Sequence, residues 1–123
     1  MSNRPLHPSD KSTSAVREHQ AKFHADVVAA VAQAVASDDV VVVGMRQNPF
    51  PKKVRKALDE AGVKYTYLEY GSYLSMWKQR LAIKMWSGWP TFPQVFVKGE
   101  LIGGDALTKA ALADGSLKKM LEA

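Results

Sequence analysis

Residues 40–44 read Val-Val-Val-Val-Gly. Four consecutive β-branched residues favour an extended chain, and none offers a polar face to solvent. Such a run suits a central strand covered by helices on both sides. The rest of the sequence reads outward from it. Residues 49–61 place Phe50, Val54, Ala57, Leu58 and Ala61 at helical spacing, and Gly62 stands just past the helix end. Residues 63–70, VKYTYLEY, alternate as a strand does. A strand, a helix and a second strand give a parallel pair through a right-handed crossover.

Residues 72–86 predict another helix, with Leu74, Trp77, Leu81 and Met85 inward. Gln94–Val97 reads as a strand, Lys98-Gly99 as a tight turn and Glu100–Ile102 as its hairpin partner. Asp105 is placed to cap the helix ALTKAALADG, Gly115 breaks it, and SLKKMLEA closes the chain. Upstream, Val16, Phe23, Val27, Ala30, Val31, Ala34 and Val35 fall on one stripe, which predicts a helix over 14–37. Residues 1–13, with Pro5, Pro8 and several Ser/Thr, read as a flexible arm. The expected organisation is an arm (1–13), an extension helix (14–37) and one α/β domain (38–123). That domain holds a four-stranded mixed sheet flanked by helices.

The 123 residues contain no cysteine, which excludes disulfides, thiolate metal sites and thiol catalysis by the protein itself. His7, His19 and His24 are read as surface residues, so no metal site is expected. No apolar run is long enough to span a membrane, and MSNRPLHPSDKSTS lacks a signal-peptide core. The expectation is a cytoplasmic protein without a membrane partner. The net charge is +5. Residues 46–84 carry nine Lys and Arg against Asp59, Glu60 and Glu69, which favours an anionic partner there. The aromatic residues Tyr65, Tyr67, Tyr70, Tyr73 and Trp77 share that region, but no nucleic-acid recognition motif accompanies them, so nucleic acid is not the expected ligand.

The stretch WPTFPQVFVKGELIGG (89–104) closely resembles the corresponding segment of monothiol glutaredoxins. The resemblance spans about 38–121 and implies the thioredoxin fold. It implies a cis proline at Pro93, with the backbone of Phe92 facing an extended ligand. The family's ligand is glutathione. Carried over residue by residue, Arg80 matches the arginine that faces the glycine carboxylate of glutathione, and Lys84 the lysine one turn later. Trp89, Thr91, Phe92 and Pro93 match the bend, Gly103 and Gly104 the glycines beside the γ-glutamyl end, and Arg46 stands in for a lysine at the end of the first strand. A guanidinium suits a carboxylate well. The family places an Asp two residues after the glycine pair; here Asp105 follows it directly.

Aligned on Lys52-Lys53-Val54, Asn48 and Pro51 occupy the places of the family's two active-site residues, cysteine with cysteine or serine. Asn is a good helix N-cap, and Pro49 fits the first helical position. The turn is therefore sound structurally and inert chemically. Neither thiol–disulfide exchange nor a [2Fe–2S] cluster held by a protein thiolate is expected. The reading is a groove that keeps glutathione or an extended protein segment without thiol chemistry. Two alternatives stand beside it: a scaffold for protein interaction that binds no glutathione, and a transferase-like enzyme using the thiol of bound glutathione. The sequence does not set the oligomeric state.

Overall fold

The computed structural model describes residues 7–122. Of the expected arm, residues 1–6 lie outside the described residues, and Ser9–Lys11 form a single 3₁₀ turn. The segment 14–37 is two helices rather than one: α1 (Ser14–Lys22) and α2 (Ala25–Ser37). The break falls at Phe23 and His24. His24 adopts a left-handed φ of 45°, and its ring meets Phe23 edge-on at 4.8 Å. Only α2 carries the buried part of the stripe, Val31 and Val35, whereas α1 buries nothing and Val16 is exposed.

Strand β1 (Val40–Gly44) is buried along its whole length, as four valines demand. It pairs in parallel with β2 (Thr66–Glu69) and antiparallel with β3 (Gln94–Val97), which pairs antiparallel with β4 (Glu100–Gly103). The sheet order is β2-β1-β3-β4, the expected four-stranded mixed sheet. Alternation along β1 sends its valines to two cores. Val41 and Val43 meet Val31, Val35 and Phe96 on one face, together with Ile83 of α4 (Trp77–Ser87). Val40 and Val42 meet Val95, Val54 and Leu58 on the other. Val54 and Leu58 belong to α3 (Pro49–Glu60), and Leu117, from α6 (Ser116–Glu122), completes that core. Helix α5 (Asp105–Ala113) packs between α3 and α6.

Strand β2 is shorter than the expected 63–70. The Val63 N–H donates back to Leu58 O at 3.0 Å, and Gly62 has φ +73°, so this segment closes α3 before the strand begins. Helix α4 also departs from expectation. It starts at Trp77, because Ser72 and Ser75 hold a turn: the Ser72 N–H donates to Ser75 Oγ at 3.0 Å. Its inward residues are Arg80, Ala82 and Ile83, whereas Leu74, Trp77, Leu81 and Met85 face solvent. Apolar residues surround most of this helix, so periodicity admits two faces. The face that packs on α2 is the one with the compact Ala82 and the β-branched Ile83.

Candidate functional site

The site begins where β1 hands over to α3. Gly44 is required there: a Cβ would stand 2.8 Å from Pro51 Cβ and 2.9 Å from Tyr67 Oη. Arg46 follows, its backbone N–H donating to Gly71 O at 2.7 Å. Its side chain is exposed and reaches Glu69 at 3.9 Å, a loose surface pair of little energetic weight. Asn48 then does two things. Its Oδ1 accepts from the Phe50 N–H at 3.0 Å, capping α3, and its Nδ2 donates to Phe92 O at 3.3 Å across the groove. Pro49 opens the helix and Pro51 is buried beneath it.

Tyr67 lies under this turn. Burial pushes its hydroxyl up to about 12, assisted by Glu69, which accepts its hydrogen bond at 3.2 Å. The Arg55 guanidinium, 4.0 Å over the ring, opposes the shift. Above the ordinary value of 10.0 the unfolded chain loses a proton that the folded protein keeps until about 12. Folding stability therefore falls as pH rises through that window. Urea unfolding midpoints should drop more steeply there for the parent than for Tyr67→Phe; parallel curves would remove Tyr67 from the account.

The opposite wall is the segment 89–93. The Phe92–Pro93 peptide bond is cis. Gln94, fully buried, donates from Nε2 to Trp89 O at 3.0 Å and so fixes the bend. Phe92 is buried, Thr91 is exposed, and the Lys84 ammonium sits 5.6 Å from the Phe92 ring centroid. Gly103, at φ +117°, and Gly104 bring the chain past this wall. A Cβ on Gly104 would stand 3.2 Å from Pro93 O and 3.5 Å from Trp89 Nε1. Gly104 itself, not Asp105, is the N-cap of α5, and no side chain caps that end. Asp105 is the first residue of the helix, where its charge suits the dipole, and it pairs with Lys109 at 3.3 Å. Trp89 Nε1 is buried and donates to no protein atom among the described residues.

The structure thus brings Asn48, Lys84, Phe92, Pro93, Gly104 and the start of α5 around one edge. It places Arg80 elsewhere. That side chain is 7% exposed, and its Nη1 donates to the carbonyls of Tyr70 and Ser75. Both carbonyls belong to the loop that receives the Arg46 N–H at Gly71, so Arg80 supports the groove's flank from inside. Two features escaped the sequence reading: the Asn48–Phe92 bond, which spans distant segments, and the unpaired Trp89 N–H. A wide cleft of about 700 Å³ lies apart from this edge and is lined by Asp38, Tyr65 and Lys118 among others, with none of the groove residues. The candidate site is an open edge rather than a cavity.

Comparison with known proteins follows the same lines. The family model named Glutaredoxin matches residues 40–102. A glutaredoxin-like protein of Dictyostelium discoideum is 50% identical over 107 residues, covering 87% of each chain. Among solved structures, oxidized glutaredoxin 2 from Chlamydomonas reinhardtii superposes with a TM-score of 0.69 at 30% identity, covering 80% of this chain and 92% of that one. A buckwheat glutaredoxin–glutathione complex gives 0.69 at 28% identity, covering 85% and 93%. The architecture is that of the thioredoxin/glutaredoxin fold.

Proposed function

The chain belongs to the glutaredoxin family, and from that we propose that it binds glutathione, or an extended peptide, without exchanging thiols. The observation that carries this reading is the N-terminus of α5 beside Phe92–Pro93, where Gly104 is the N-cap and no side chain answers the first N–H groups. Such a helix end suits a ligand carboxylate. A buckwheat glutaredoxin solved in complex with glutathione supports this reading. Lys84 and Arg46 supply positive charge for the ligand's carboxylates. The Phe92 N–H offers an extended backbone a strand-like partner.

Asn48 limits the chemistry. An amide is no nucleophile at neutral pH, and the chain has no cysteine to replace it. The donor set at this turn does not fit a [2Fe–2S] cluster either, because no thiolate is available.

Titration of isotope-labelled protein with reduced glutathione tests the reading. The backbone amides of Arg46, Phe92, Gly103, Gly104 and Asp105 are expected to shift together and saturate. Amides that stay in place at millimolar ligand would instead leave a glutaredoxin fold used as an interaction scaffold.

A further inference from the structure

From Tyr70 to Gly99 the chain holds no acidic residue; Lys78 and Lys84 of α4 carry positive charge at the surface, whereas Arg80 is buried and Lys98 pairs with Asp39 at 3.2 Å. Between Tyr73 and Met85 several large apolar side chains turn outward, while Ile83 stays in the core. Leu74 is 93% exposed, Tyr73 60%, Trp77 59% and Met85 57%. Positions 77, 81 and 85 share one face of α4, and Lys78 and Lys84 fall on its two sides. Leu74 stands on the turn just before that face.

We propose that this face docks on the surface of an anionic lipid bilayer. The composition is that of an interfacial segment: Leu and Met to enter the acyl boundary, Trp and Tyr at headgroup level, and lysines to reach lipid phosphates. A second copy is a poor occupant. Helix α4 contains no acid, and pairing it with itself would oppose lysine to lysine. The docking is peripheral, since no helix among the described residues is long and apolar enough to cross a membrane. Its apolar residues are distinct from those of the glutathione groove, which the face borders at Lys84.

The full chain is mixed with vesicles of phosphatidylcholine containing about a third phosphatidylserine, and with pure phosphatidylcholine vesicles. Co-sedimentation and a blue shift of tryptophan emission are expected with the anionic vesicles at low salt, and release is expected at high salt. Leu74→Glu and Trp77→Glu should each lower the partition at least about tenfold. Val16→Glu, the same charge change at an exposed site on α1, should leave it close to the parent's. Thermal unfolding of each variant checks that the fold persists. Three results would overturn the proposal: no association with anionic vesicles; association that survives both substitutions, which the net charge of +5 alone would explain; or vesicle-free self-association that the substitutions abolish, which would give the face to a second copy.

Discussion

Asn48→Cys is expected to confer thiol–disulfide exchange on this chain, which has no cysteine. The side chain at this position caps α3, so a sulfur placed there sits at a helix N-terminus. That location lowers a thiol pKa from about 8.5 towards 7 or below, and raises the thiolate fraction at neutral pH about tenfold. The introduced thiolate attacks the glutathione sulfur of a mixed disulfide and expels the other thiol. A second glutathione then attacks the new protein–glutathione bond, releasing oxidised glutathione and restoring the thiolate. Turnover of a glutathione–mercaptoethanol disulfide should exceed the parent's background by at least about tenfold. Asn48→Ser, which caps without a thiol, should remain at background. The substitution also removes the bond to Phe92, so a stability loss of about 1 kcal/mol accompanies the gain. An inactive cysteine variant that still folds would show that the groove no longer presents glutathione to this turn.

Arg80→Leu is expected to be among the most damaging single substitutions on α4. The guanidinium is buried, and its Nη1 donates to Tyr70 O at 3.0 Å and to Ser75 O. Removing it strands both carbonyls, at a cost of about 2–4 kcal/mol. The flank of the groove should loosen with it, because the next carbonyl, Gly71 O, holds the Arg46 N–H. Arg80→Lys should recover part of the loss, since an ammonium reaches the carbonyls without the planar fork. Denaturant unfolding measures both. A Leu variant as stable as the parent, but unable to bind glutathione, would instead return Arg80 to the ligand side of the groove.

The sequence disclosed what is local and strongly patterned. Four valines announced a strand covered on both faces, and Lys98-Gly99 announced the hairpin. The Asn-Pro pair announced the start of α3. It misled where a pattern has two solutions. Leu74, Trp77, Leu81 and Met85 repeat like a core face, yet Ala82 and Ile83 are the residues that fit against α2. Periodicity reports that a helix has an apolar stripe, not that anything covers it. The setting of Arg80 was not legible for a related reason: its two carbonyl partners come from a loop whose shape the sequence did not show. The break at Phe23–His24 leaves no mark in composition, since neither residue is a glycine or a proline.

Strand β1 has a consequence for the order in which the chain assembles. Its parallel neighbour β2 follows soon after α3, but its other neighbour pairs Val40 with Val97. Closing that long loop costs entropy before any pairing compensates for it. Growing from the N-terminal side, the chain therefore carries one bare edge of its most apolar strand until β3 has been made. The segment that finally covers the edge also brings Phe92 to Asn48. The groove and the sheet are thus completed in the same step, and a chain halted before β3 would have neither.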